Sequence, residues 1–347
     1  MTPPFKNERI LALDVARIVA CVFICAEHLF HYSGITYLTA DMTSFADDPI
    51  AGYVFSFFEF ETPIFLMTSG ALILPLKTST SAFLKKRFTN IGIPMIVWTI
   101  LYILPMLQFN TPERAHLLLV QAPFMPSING GFWFLYTLFG LYMLSPILSG
   151  WLKACSQKEV KWYLIFWCLV SMFPYASHVS GAEINITSPF YYFTGYVGFY
   201  ILGYYIRTYH LHVTTSQVIA VVLAYLCIDL AMPWFEYFIG MKEITGAINT
   251  NFGNIVRCTA IFVVIFYLCS RYKSTPFIST LSKLTFGVYL INEMMNLGIS
   301  QLDILPQSSP YLRLAVASLM LITVSFTFVY LVSYLPGSKY IVAYHHK

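Results

Sequence analysis

Charge is the scarcest property of this sequence. Asp, Glu, Lys and Arg make up 10% of its 347 residues, where soluble domains carry about 25%. That shortage excludes a water-soluble globule, and the 58% of hydrophobic residues points to lipid as the solvent. Two-residue apolar–polar alternation is also missing, which excludes the strands of a membrane barrel. The basic residues form no clustered face, so no nucleic-acid partner is expected. The seven cysteines contain no CxxC pair, and neither a disulfide framework nor a metal site is implied. Lys6 and Arg9 precede an apolar run, as in a signal peptide, but Asp14 and Arg17 interrupt it and no small-residue cleavage site follows. The first span is therefore expected to remain in place. Internal repeats, low-complexity tracts and long linkers are absent too, so residues 1–347 are expected to form a single integral-membrane domain.

What is present is a series of long apolar runs. A spanning helix needs about 20 such residues, and only helices or closed barrels satisfy their backbone groups in lipid. The expected fold is all-α and polytopic, with about ten transmembrane helices near 10–31, 50–75, 88–108, 131–151, 160–178, 189–207, 216–238, 251–270, 284–302 and 311–335. The apolar stretch 113–124 is too short to span and is expected at the interface. One set of loops and ends holds Lys6, Arg9, Lys77, Lys85, Lys86, Arg87, Lys153, Lys158, Lys161, Arg207, Arg271, Lys273, Lys283, Lys339 and Lys347. The opposite set collects Asp41, Asp47, Asp48 and Glu183, with Arg114, Lys242 and Arg313. The positive-inside rule then makes both termini cytoplasmic. The net charge of +4 is a topology signal on this reading.

Against this apolar background, "DVARIVACVFICAEHLFHY" stands out, because it carries Asp14, Arg17, Glu27, His28 and His31. Ionisable groups inside a membrane cost several kcal/mol and are functional candidates by default. Arg17 and His28 are eleven residues apart, close to three whole helical turns, so they share a face about 16 Å apart along the axis. The bland alternative pairs Asp14 with Arg17 and makes His28 an interhelical hydrogen bonder. The second span, "FFEFETPIFLMTSGALIL", places Glu59 and Glu61 in its outer half at about the depth of His28, with Ser69 nearer the depth of Arg17. Two helical steps turn through about 200°, so both glutamates cannot face one site. Either can orient and charge-stabilise His28 as a carboxylate does in a hydrolase triad, while the other meets the outer interface. Lys85, Lys86 and Arg87 then cluster at the cytoplasmic mouth, as a topology signal or as a dock for an anion carrying phosphates. Arg257, in the outer part of the eighth expected span, either meets an acidic ligand or pairs with a glutamate. His345 and His346 read as a solvated tail pair, and Asn185-Ile186-Thr187 as a chance glycosylation sequon.

These residues resemble the acyltransferase-3 family of integral-membrane acyltransferases. "LDVARIVACVFICAEH" is similar to its first helix, with Arg17, ten residues, then His28. "PIFLMTSGALIL" resembles its Ser-Gly block, and "FLKKRFTNIGIP" its basic loop. "GGFWFLYTLFGLYMLSPIL", "YYFTGYVGFYILGYYI" and "LTFGVYLIN" resemble later blocks, in order, over nearly the whole chain. Two positions depart from it: Asn90 stands where members often carry a second arginine, and Asn292 where histidine is common. The resemblance implies transfer of an acyl group, usually acetyl from acetyl-CoA, to a hydroxyl of an extracytoplasmic glycan or lipid-linked sugar. It fits His28 as general base or acyl carrier, supported on the reading above by Glu61 or Glu59, with Arg17, Lys86 and Arg87 toward the donor and Ser69 either positioning the donor or serving close helix packing. The membrane expected is a bacterial cytoplasmic membrane, and the protein partner a glycan-synthesis complex or a second copy of the chain. Two alternatives stay open at this point: an exporter or flippase of a lipid-linked saccharide or polysaccharide, and a non-catalytic member of such a complex.

Overall fold

The structure is a computed structural model that describes residues 10–35, 49–109, 111–121, 132–181, 190, 193–209, 213–240, 250–302 and 304–346. The sequon at Asn185, the acidic residues Asp41, Asp47, Asp48 and Glu183, and Lys6, Arg9, Lys242 and Lys347 lie outside these residues.

The described residues are mostly helical and contain no strand. In chain order they form α1 (Leu11–Glu27), α2 (Phe30–Ser33), α3 (Pro49–Phe58), α4 (Glu61–Ile73), α5 (Thr80–Arg87), a π-helix (Phe88–Gly92), α6 (Ile93–Phe109), α7 (Pro112–Gln121), α8 (Trp133–Ala154) and α9 (Gln157–Val170). There follow α10 (Phe173–Ser180), α11 (Val197–Tyr209), α12 (Thr215–Phe238), α13 (Phe252–Cys269), α14 (Pro276–Ile299), α15 (Pro310–Val332) and a 3-10 turn (Ser338–Tyr340). Among the described residues, seven segments are long and apolar enough to cross a membrane: Pro49–Ile73, Thr80–Leu104, Trp133–Ala154, Gln157–Ser180, Thr215–Phe238, Phe252–Cys269 and Pro310–Val332. The other three expected spans are helical but fall short of that measure. α1 has 17 residues, α11 has 13, and α14 is long enough but carries Lys283, Asn292, Glu293 and Asn296. α7, at 10 residues, is too short to span.

Local sequence sets many helix starts. Ser156 with Glu159, and Thr214 with Gln217, form capping boxes that open α9 and α12, each satisfying two backbone donors that a helix start leaves unpaired. Ser79, Asn251 and Ser309 cap α5, α13 and α15 in the simpler way.

The chain divides into two compact units, one of residues 1–74 and 150–282, the other of 75–149 and 283–347. In the first, α4 is the central element, packed by α11, α1 and α13 and buried along most of its length. Two glycines allow the closest of these crossings. A Cβ on Gly70 would collide with the backbone carbonyl of Tyr200, and one on Gly203 with that of Met67. Small residues let helix backbones approach in this way where lipid supplies no hydrophobic drive. Arg207, at the end of α11, donates to the carbonyl of Ala71 in the last turn of α4, where a cation meets the negative end of the helix dipole. Gly70→Ala is accordingly expected to destabilise the protein by about 1–3 kcal/mol. Gly140→Ala, where a Cβ meets nothing within 4 Å, is expected to leave it unchanged. Thermal unfolding of the two purified variants in one detergent checks this, and equal midpoints would refute the close crossing.

In the second unit the C-terminal segment folds back on α6. Trp98 donates to the carbonyl of Ile341 at 2.9 Å, and Val342 is fully buried. His345 bonds Ser338 at 2.9 Å, and His346 stacks on Tyr334 with 4.5 Å between centroids. His346 is thus packed, which departs from the expectation of a solvated pair, whereas His345 stays exposed as expected. The reason is local: Gly337, at φ 80°, reverses the chain after α15, a backbone conformation that glycine adopts without strain.

Candidate functional site

The polar face of α1 is present as expected, and it ends at His28. The backbone N–H of His28 still bonds the carbonyl of Ile24 at 3.3 Å, so helical register holds from Arg17 to His28 and the separation of about 16 Å stands. The chain turns at Leu29 and resumes as α2. The expected continuous span to residue 31 is therefore broken, and His28 occupies the carbonyl end of α1, where positive charge is favoured. Both Arg17 and His28 are half-buried, whereas Cys21 and Cys25 between them are closed off from solvent. Asp14 is buried and accepts a hydrogen bond from Ser274 at 2.9 Å.

The second expected span is also broken, at Glu59–Phe60, between α3 and α4. The break sends the two glutamates to different partners. The carboxylate of Glu59 lies 3.5 Å from the guanidinium of Arg257 on α13. Asn254, one turn earlier on α13, donates from Nδ2 to the Glu59 carbonyl at 2.9 Å. Arg257 itself is 4% exposed. Its Nε donates to Asp229 of α12 at 3.0 Å, its Nη2 reaches the same carboxylate, and Nη2 also donates to Ser56 of α3 at 2.7 Å. Of the two sequence alternatives for Arg257, pairing with a glutamate is the one the structure shows.

Glu61 opens α4 and is 2% exposed. Its Oε2 has no hydrogen-bond partner among the described residues, a state that buried polar atoms in folded proteins rarely keep without a further ligand or proton. α1 packs on the residues just before Glu61. Phe23 of α1 packs on Phe57, Phe58 and Phe60 with centroids 5.6, 4.9 and 4.8 Å away, and Phe30 packs on Phe58 at 4.8 Å. These rings lie five residues before His28 and two after it, so they hold the end of α1 against the break at which Glu61 stands.

Ser69 is half-buried beside Gly70 at the α4–α11 crossing. Lys86 and Arg87 belong to the other unit, in the last turn of α5. Lys86 is exposed. The guanidinium of Arg87 lies over Phe83 and Tyr142, 5.2 and 5.0 Å from the ring centroids, and its buried Nε has no acceptor among the described residues. A π-helix follows at once, a local distortion that is frequent at functional sites.

Sequence reasoning did not name Asp229, Asn254 or Ser56. A signal for Asp229 was available: it is the lone carboxylate inside the apolar run "VVLAYLCIDLAM", a placement that marks a functional or paired residue. Asn254 and Ser56 carry no such signal, because small polar residues are ordinary in membrane helices.

Comparison with known proteins adds one finding. Residues 10–336 match the family model described as an acyltransferase domain, acyltransferase-3. No curated protein and no solved structure matches the chain.

Proposed function

The chain belongs to the acyltransferase-3 family, matched over nearly its whole length, and from that premise we propose that it moves an acetyl group from cytosolic acetyl-CoA to a hydroxyl of an extracytoplasmic glycan or lipid-linked sugar. The observation that carries this reading is the face of α1, which holds a guanidinium in the first half of the helix and an imidazole in register at its end. An anion binder on one side and a titratable group about 16 Å away suit a donor that arrives from the cytosol and an acceptor that waits outside.

In this scheme both termini are cytoplasmic, and the membrane is the cytoplasmic membrane of a bacterium. His28 takes the proton of the acceptor hydroxyl as its oxygen attacks the thioester carbonyl. The carbon–sulfur bond breaks, and His28 returns the proton to the departing thiolate. If His28 instead carries the acetyl group between donor and acceptor, the same atoms balance in two steps. Glu61 is the glutamate assigned to the imidazole, because Glu59 is already committed to Arg257. Arg17 is assigned to the donor. In the other unit, Lys86 and Arg87 suit phosphate oxygens, since a buried guanidinium nitrogen without an acceptor fits an anionic ligand. Ser69 is assigned to donor positioning on the family resemblance alone.

Sealed membrane vesicles of defined orientation, loaded with the native glycan outside and given labelled acetyl-CoA on the cytoplasmic side, test the proposal. Label is expected on the glycan. Its absence, with the protein present and the glycan intact, would overturn the reading.

A further inference from the structure

One face of α13 is devoted to the break in the second span. Asn254, Arg257 and Cys258 stand at positions i, i+3 and i+4, which share a helix face. Asn254 satisfies the Glu59 carbonyl at 2.9 Å. The Cys258 thiol approaches the Phe60 carbonyl at 3.8 Å, and Arg257 takes the Glu59 carboxylate and the Ser56 hydroxyl. A break in a membrane helix leaves carbonyls without partners, and lipid offers none. This face supplies them. Asp229 then fixes Arg257 from α12 by accepting from Nε and Nη2 of the same guanidinium.

We infer that Arg257 is a positioning residue: with Asp229 and Asn254 it holds the Glu59–Phe60 break and so determines where the Glu61 carboxylate stands at the end of α1. The inference rests on the reading of Glu61 given above. Its physical basis is adjacency, since Glu61 is the first residue of α4 after the break and the backbone at the break sets its direction. A buried ion pair is a poor source of stability compared with apolar packing of the same volume. The retention of a charged group at such a place therefore suits a role in geometry.

The test is a double-mutant cycle on the acetyl-transfer reaction with Arg257→Lys, Glu61→Gln and the double variant. Lysine keeps the charge but loses the planar fork that meets Asp229, Ser56 and Glu59 together. Arg257→Lys is expected to lower kcat about 10–100-fold, the scale on which a misplacement of about 1 Å acts, with the donor KM unchanged. In the Glu61→Gln background the same substitution is expected to cost less than about 3-fold, because its effect runs through Glu61. Should Arg257→Lys fail to accumulate in the membrane, Asp229→Asn, which leaves the shape of the site intact, replaces it in the cycle. An equal fold-loss in both backgrounds would overturn the inference alone, as would an unchanged kcat or a raised acceptor KM with kcat intact. Full turnover by Glu61→Gln would overturn the assignment of Glu61 and this inference with it.

Discussion

His28→Gln is expected to lower acetyl transfer by about 10²–10⁴-fold, the usual contribution of a positioned acid–base group, while the protein still inserts and accumulates. Glutamine approximates the size and hydrogen-bonding capacity of histidine but can neither take a proton at neutral pH nor carry an acyl group. His28 is half-buried at the carbonyl end of α1, and the contacts of Phe23 and Phe30 also hold this end, so the fold is expected to persist. A trapping experiment separates the two routes. A rapid denaturing quench near neutral pH, read at once by mass, finds acetyl on wild type given acetyl-CoA and no acceptor if His28 carries the group, and none if it acts as base. Normal turnover by His28→Gln would remove His28 from the chemistry altogether.

The first helix was legible because its charges contrast with an apolar background and because the eleven-residue interval needs only helical geometry to be interpreted. The all-helical fold was legible for the same reason, as a consequence of composition and lipid. The two breaks were not. Hydrophobicity runs on through Glu59–Phe60 and through His28–Leu29; only the first carries a local mark, Pro63, whose missing N–H leaves the Glu59 carbonyl without a helical partner but does not say what takes its place. What stabilises the first break is Asn254 and Arg257, almost 200 residues away along the chain, and periodicity carries no information at that range. The fates of Glu59 and Glu61 were undecidable for this reason, since the deciding partner is on α13. The Gly70–Gly203 crossing needed both helices in view: either glycine alone is an ordinary membrane-helix residue. Seven of the ten expected spans meet the length and apolarity of a crossing among the described residues; α1 and α11 are shorter there, and α14 carries polar residues.

Arg17→Ala is expected to raise the KM for acetyl-CoA by about 10–150-fold, the equivalent of the roughly 1.5–3 kcal/mol carried by a hydrogen bond to a charged group, with kcat at saturating donor nearly unchanged. That split is the signature of binding energy realised equally in ground and transition states, as expected of a group that grips the donor far from the reacting carbonyl. Arg17→Lys should recover part of the loss, because an ammonium supplies the charge without the fork that meets a phosphate bidentately. The competing role for Arg17 is to neutralise Asp14. Asp14 has a donor of its own in Ser274, at 2.9 Å, so its carboxylate keeps a partner when Arg17 is removed. A purely structural Arg17 would instead lower stability and leave the KM of the surviving protein where it was. Donor titrations and thermal unfolding of Arg17→Ala, measured on the same preparation, decide between the two: a raised KM with an unchanged midpoint assigns Arg17 to the donor, and the reverse assigns it to the helix.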